Sequence, residues 1–324
     1  MSHPFALLTP DTVMDAIETL GFHCDARIIE LNSYENRVYQ VGLDDHEPVI
    51  AKFYRENRWT DEQIQEEHVY TEDLLENEIT AVPPMIIENK TLHRHSDFRF
   101  SLYERRGGRA PELDDPNSLE VLGRYVGRIH RVGATTPFIH RPTLSIDEYG
   151  FASQEYLLAN NFIPDDLIPA YDSVATGLLK DLQPVLAEPA TNIRLHGDCH
   201  MGNVLWRDNT PHFVDFDDAR NGPAIQDLWM MLSGDTDSQS EQMRHILTGY
   251  LDFSDFEFNQ LRLIEPLRTL RMMYHAAWIA RRWDDPAFPR AFPFFDSGRY
   301  WSEHILELRE QWSKLVEPPL QVYI

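Results

Sequence analysis

Apolar positions follow two regimes along this chain, short β-type runs in its N-terminal third and stripes of 3.6-residue period beyond. The opening segment TPDTVMDAIETLG predicts a helix, with Thr9 as its N-cap, Pro10 at the first helical position and Gly21 as its stop. Three runs follow, ARIIEL, NRVYQVGL and EPVIAKFYR, rich in Val, Ile and Tyr and separated by polar turns, which predicts an antiparallel meander. In TDEQIQEEHVYTEDLLENE, Thr60 and Gln63 form a capping box and Ile64, Tyr70 and Leu74 recur at mostly helical spacing, so a helix packed on those strands is expected. PMIIENKT and FRFSLYE supply two more strands and complete a five-stranded sheet.

RRGGRAPELDDPN then interrupts any regular element and places a lobe boundary between residues 106 and 107. Beyond it, SLEVLGRYVGRIHRVG, DLIPAYDSVATGLLKDLQPVLAE, AIQDLWMML, SEQMRHILTGYL, FNQLRLIEPLRTLRMMYHAAWIARRW and WSEHILELREQWSKLV all carry helical stripes. The exception is IRLHGDCHMGNVLWRDNTPHFVDFDDARNG, which reads as strand, loop, strand, turn, strand. The expected architecture is α+β and two-lobed. A small antiparallel β lobe spans residues 1–106 and a larger, mostly helical lobe spans residues 107–324.

Composition narrows the function classes. Of 324 residues, 42% are hydrophobic and 25% charged, as in ordinary globular chains. No apolar run approaches the roughly 20 residues of a membrane helix, and the start lacks the features of a signal peptide, so a cytoplasmic protein without a membrane partner is expected. Cys24 and Cys199 are too few for a disulfide framework and suit a reducing compartment. A net charge of -24 argues against nucleic-acid binding and requires that any anionic substrate be held by local cations, a metal ion or backbone amides.

RLHGDCHMGNVLW concentrates the chemistry. His196, Asp198 and Asn203 match His-x-Asp-x-x-x-x-Asn, the spacing of a phosphotransfer catalytic loop. An Asp at the loop centre can orient a substrate hydroxyl, and an Asn five residues on can turn back to ligate a metal ion. Twelve residues later, HFVDFDDA is an apolar strand ending in Asp215 and Phe216, placed as the metal-binding Asp of an Asp-Phe-Gly segment would be. Asp217 stands where that glycine would, as a second carboxylate or a solvent-facing one. Far upstream, VIAKFY sets Lys52 among apolar neighbours, where its ammonium is costly to bury unless it finds an anion such as a nucleotide phosphate. The next helix offers Glu66 or Glu67 to hold that lysine. Glu67 is favoured because Tyr70 and Leu74 lie at +3 and +7 on its face.

The same residues admit blander readings. His196, Asp198 and His200 alternate as a zinc triplet could, but the phosphotransfer pattern uses them together with Asp215 and Lys52. Cys199 reads as a small packed side chain and RMMYHAAWIARRW as core. Arg281 and Arg282 could face an anionic substrate or form a solvated helix end.

With these parts in order, the chain resembles the aminoglycoside phosphotransferase-like branch of the protein-kinase-like fold, through segments running from about residue 30 to 290. LNSYENRVYQV, AKFYRENRWTDEQIQEEH, VDFDDARNGPAIQDLWM, IEPLR and RRWDDPAFP are similar to bacterial serine/threonine kinases of stress response within it. The resemblance implies transfer of the ATP γ-phosphoryl group, with Mg²⁺, to Ser and Thr of proteins, the chain itself included. It implies Asp198 as catalytic base, Asn203 and Asp215 as metal holders, and Ser33 in the phosphate-covering turn. It sets the adenine against backbone groups near Tyr103, Glu104 and Arg105, and makes Asp227 and His196 supports of the catalytic loop. The turn NSYENR contains no glycine, Gly197 precedes Asp198 where many kinases carry Arg, and no Ser, Thr or Tyr lies between Asp215 and Leu232 to act as an activation-loop phosphosite. The motifs alone suit a small alcohol such as choline, homoserine or an aminoglycoside equally well. A nucleotide-binding pseudokinase is the alternative from another class. A monomer is expected.

Overall fold

The computed structural model describes residues 3–111 and 115–324. Helix α1 (Pro10–Glu18) starts where Thr9 accepts a hydrogen bond from the Thr12 amide. Strands β1 (Cys24–Leu31), β2 (Arg37–Leu43) and β3 (Val49–Phe53) form the expected meander. Helix α2 (Asp61–Glu76) opens on the reciprocal Thr60–Gln63 capping box. Strands β4 (His93–His95) and β5 (Phe98–Glu104) complete an antiparallel sheet of order β1-β2-β3-β5-β4.

Two expectations for this lobe are corrected. PMIIENKT is not a strand; the edge strand is the shorter β4. Pro83 and Pro84 have no N–H to donate, Ile86 is exposed, and Glu88 and Asn89 turn the chain with positive φ. Nor does α2 rest its apolar side on the sheet. The sheet packs its apolar face with α1 through Val13, Ala16 and Ile17, next to Val41, Ala51 and Phe53. Tyr70 and Leu74 of α2 instead join the core of the helical lobe, where the Tyr70 hydroxyl donates to the Arg194 carbonyl at 3.1 Å. What α2 turns toward β3 is polar, with His68 Nε2 2.8 Å from the Tyr54 hydroxyl.

The larger lobe holds α3 (Pro116–Gly133), α4 (Ala152–Ala159), α5 (Ile168–Ala187), α6 (Ile225–Trp229), α7 (Thr236–Tyr250), α8 (Ile264–Ala280), α9 (Ala287–Ala291) and α10 (Gly298–Lys314). The strand-loop-strand segment gives β6 (Asn192–Leu195) and the hairpin β7 (Val204–Arg207) with β8 (Thr210–Phe213), and adds β9 (Arg220–Pro223), which pairs with β6. Helices α4 and α9 carry no stripe that announces them. Helices α3 and α7 pass backbone to backbone: a Cβ on Gly123 would lie 1.9 Å from the Ile246 carbonyl oxygen, and one on Gly249 equally close to that of Glu120. That approach brings His130 of α3 within 3.0 Å of the Tyr250 hydroxyl. Both belong to the support of the site.

Candidate active site

The loop after β6 is held by its main chain. Gly197 adopts φ +85°, and a Cβ there would meet the Asp218 carbonyl at 2.1 Å, so the turn admits only glycine. Asp227, fully buried, accepts from the amides of His196 and Gly197, each at 2.9 Å, and from His130 Nε2 at 3.0 Å. The Asp198 amide donates to His196 Nδ1 at 3.3 Å, which leaves the His196 proton on Nε2, 3.0 Å from the Val214 carbonyl. Asn203 Nδ2 donates to the Asp198 carbonyl at 3.0 Å, so its amide oxygen is the end left for a cation. The Val214 amide donates to the Asn203 carbonyl at 3.0 Å and sets Asp215 beside it.

Asp198 is flanked by two basic groups: Arg271 Nη1 lies 2.8 Å from Oδ1 and His200 Nε2 3.4 Å from Oδ2. Burial pushes its carboxyl up, but the His200 hydrogen bond and the Arg271 charge outweigh it and hold Asp198 below the ordinary range. Asp215 adopts a left-handed backbone, φ 60° and ψ 62°, and its side chain is 52% exposed, facing the cleft. Lys52 Nζ pairs with Asp215 at 2.9 Å and with Asp217 at 3.1 Å. Burial pushes the Lys52 ammonium down, but the two carboxylates outweigh it and hold its pKa well above the ordinary range. Asp217 does not face solvent. It is buried and also pairs with Arg58 at 2.7 Å.

Glu66 and Glu67 separate cleanly. The Glu66 carboxylate accepts from the amides of His140 at 2.9 Å and Arg141 at 2.8 Å, away from the lysine. Glu67 is buried among Lys52, Arg141 and the two aspartates, and burial pushes its carboxyl up to about 7 against the pull of the two cations. The unfolded chain gives up this proton near 4.5, whereas the folded chain keeps it until about 7. Stability contributed at Glu67 therefore falls as pH rises between those values and is constant above them. Glu67→Gln should remove that slope, so the melting temperature of wild type relative to the variant drops between pH 5 and pH 7.5. A difference independent of pH over that range would contradict the buried, raised carboxyl.

The cleft between the lobes contains a cavity of about 280 Å³, at the small end for ligand sites. Ser33, Lys52, Glu67, Tyr103, Glu104, Asn203 and Asp215 all line it. Val38 and Ile50 from above and Leu205 from below form an apolar slot suited to a flat base. Arg105 is not among the lining residues: its guanidinium reaches Gln40 at 2.8 Å, and Arg106 lines the cavity instead. His196 and Asp227 lie beneath the loop and never reach the cavity.

Sequence reading missed a buried ionic frame. Glu35, in the glycine-free turn, meets Arg55 at 3.1 Å, Arg58 at 3.3 Å and Arg282 at 2.6 Å, and accepts from Trp278 Nε1 at 2.6 Å. Asp285 bridges Arg37 at 2.8 Å and Arg55 at 2.7 Å. Arg282 is thus neither a substrate contact nor a solvated helix end; from the turn just past α8 it ties that end of the helix to the glycine-free turn. Arg281 does face outward, donating to the Ala152 carbonyl. The concentration of charge in NSYENR and RRWDDP was the available signal, but no pairing follows from it.

A hard divalent ion with few protein donors and the rest from phosphates fits Asn203 and Asp215, one amide oxygen and one carboxylate on the same cavity wall. Among the described residues no cluster of three or more His, Cys, Asp or Glu offers an all-protein metal cage.

Known proteins resemble this chain in sequence and in fold. The model of the phosphotransferase enzyme family matches residues 27–264. The chain is 44% identical over 318 residues, 98% of this chain and 97% of the relative, to stress response kinase A of Escherichia coli (strain K12). It is 42% identical, with the same coverage, to serine/threonine protein kinase RdoA of Salmonella typhimurium (strain LT2). Amicoumacin kinase hAmiN, in complex with AMP-PNP, Ca²⁺ and Ami, superposes with a TM-score of 0.75 at 19% identity over 96% of this chain and 95% of that one. Spectinomycin phosphotransferase APH(9)-Ia, in complex with ADP and spectinomycin, gives a TM-score of 0.63 at 13% identity, covering 93% of this chain and 98% of that one. These superpositions bear out the two-lobed, kinase-like α+β fold.

Proposed function

We propose, from the premise that this chain belongs to the phosphotransferase enzyme family, that its cleft transfers the γ-phosphoryl group of ATP to serine and threonine hydroxyls of proteins, its own included. The observation that carries the acceptor class is the 44% identity to stress response kinase A. It extends over 98% of the chain, well beyond the motifs shared by kinases of small molecules.

In this reading the base lies in the apolar slot and Lys52 steadies the α- and β-phosphates, exchanging Asp215 for phosphate while Asp217 keeps its charge balanced. Ser33 and the amides of its turn cover the phosphates. Asn203 and Asp215 would hold Mg²⁺, which when bound neutralises charge on the β- and γ-phosphates. Asp198 orients the acceptor hydroxyl. The bond from that oxygen to the γ-phosphorus forms as the bond to the β-bridging oxygen breaks; ADP leaves with the electron pair, and the hydroxyl proton passes to Asp198. Asp227 and His196 keep the loop in place. Catalysis here is positioning and charge neutralisation.

The reading includes an ATP-binding part over residues 1–106, an acceptor part over residues 107–324, a monomer, and work in the cytoplasm during bacterial stress. Among the described residues no helix is long and apolar enough to cross a membrane. The second reading is a kinase of small alcohols, favoured by the superposition on kinases in complex with Ami and with spectinomycin.

The test is transfer from γ-labelled ATP with Mg²⁺ to a generic protein substrate, with phosphoamino acids read after acid hydrolysis. Label on Ser and Thr supports the proposal. Label absent from protein but present on a metabolite establishes the second reading. ATP-induced thermal stabilisation with no transfer at all points to a pseudokinase.

A further inference from the structure

Helix α8 places Arg271, His275 and Trp278 at steps of four and three along one side, and the turn after it adds Arg282 four residues further on. The row begins at the catalytic loop, with Arg271 2.8 Å from Asp198, and ends at the phosphate turn, with Trp278 and Arg282 both 2.6 Å from Glu35. Between them His275 stacks on Trp278, ring centroids 5.6 Å apart. Trp278 Nε1 and Arg282 Nε both meet Glu35, and Arg282 Nη1 donates to the Trp278 carbonyl at 3.1 Å. The Arg271 side chain is 42% exposed, and among the described residues its ion pair is with Asp198.

Arg271 sets a permanent cation at this mouth, although the chain as a whole is strongly acidic. It stands on one side of Asp198 with His200 on the other, in a protein that carries a net charge of -24. A guanidinium at the mouth of so acidic a molecule can draw a carboxylate of an incoming chain and repel a cation there. A guanidinium has five donors in a planar fork and can meet two carboxylates at once. Arg271 can therefore keep Asp198 in place and receive a second carboxylate from solvent.

We propose that Arg271 is a specificity residue for the acceptor. It pairs with an acidic side chain flanking the hydroxyl, so the preferred acceptor is a serine or threonine in an acidic stretch of polypeptide, and polycationic acceptors are disfavoured. This rests on the protein-kinase reading given above.

The test compares two peptides of equal length with a single serine, one flanked by Asp and one by Lys, as substrates of the full chain with γ-labelled ATP and Mg²⁺. Wild type should favour the Asp peptide in kcat/KM by about tenfold, equivalent to about 1.4 kcal/mol. Arg271→Glu should reverse the preference, and Arg271→Lys should keep its direction. The ratio is internal to each enzyme, so a general loss of activity does not disturb it. Equal rates in wild type, preference for the Lys peptide, or a ratio unmoved by Arg271→Glu overturns the inference and leaves the kinase reading intact. Self-labelling with neither peptide labelled also overturns it alone. No label on either peptide or on the chain overturns both.

Discussion

Asp198→Asn is expected to lower phosphoryl transfer by about a thousandfold while leaving the fold and ATP binding in place. The substitution keeps the shape of the side chain and removes its negative charge and its capacity to take a proton, a loss that costs roughly 10²- to 10⁴-fold where a positioned base assists. Structure around it should hold. The loop is fixed by main-chain bonds to Asp227 and by the Asn203 side chain, none of which uses the Asp198 carboxylate. Its partners Arg271 and His200 are partly solvated, so leaving them unpaired costs little. The measurement is label transfer beside a thermal melt with and without ATP. A variant that keeps a tenth of wild-type activity would sink the role of Asp198. A variant that melts early would shift the blame to the fold.

How much of this was legible before folding depends on how far apart the partners lie. His196, Asp198 and Asn203 fall within eight positions of one loop, and their spacing carries the geometry because the loop is short. Lys52 and Asp215 are 163 residues apart, yet one sits within and the other just after an apolar strand run, in a recognisable order, and they meet at 2.9 Å. The tandem glutamates were harder, since one residue of helical register decides which points to the lysine. The packing of α2 was misjudged for the same kind of reason. Its apolar positions say that one side is buried but not against what, and α1 had already taken the apolar face of the sheet. Arg271 and the frame around Glu35 and Asp285 left no readable pattern. Asp285 meets Arg37 across 248 residues, and only the packed chain brings them together.

On the function proposed above, that frame also explains how a phosphate-covering turn can dispense with glycine, and Asp285→Ala tests it. A glycine-rich loop covers phosphates by bending freely; this turn is braced instead. Arg55 Nε donates to the Glu35 carbonyl at 2.9 Å, the Arg55 amide to Asn36 Oδ1 at 3.1 Å, and Arg37 Nη1 to the Asn36 carbonyl at 3.2 Å. Both arginines are in turn held by Asp285, whose side chain is 1% exposed while theirs are 9% exposed. Removing one partner of a buried ionic group leaves uncompensated charge and costs about 3–5 kcal/mol. For a chain of this size that is a fall of roughly 10 °C in melting temperature. Freed of its brace, the turn around Ser33 should bind nucleotide less well, so KM for ATP should rise by about tenfold, with a smaller change in kcat. The pH dependence has a fixed sign. Burial pushes the Asp285 carboxyl up, but the Ala287 amide and the two arginines overcome it and hold it below its ordinary value. Its stabilisation is present above the ordinary carboxylate range and is lost only as pH falls through the lowered folded value. The gap in melting temperature between wild type and Asp285→Ala should accordingly stay constant across neutral pH and close in acid. Asp285→Asn, which keeps the shape and part of the hydrogen bonding, should fall between the two. If Asp285→Ala melts within about 1 °C of wild type, the turn owes its shape to something other than this frame, and the missing glycine needs another account.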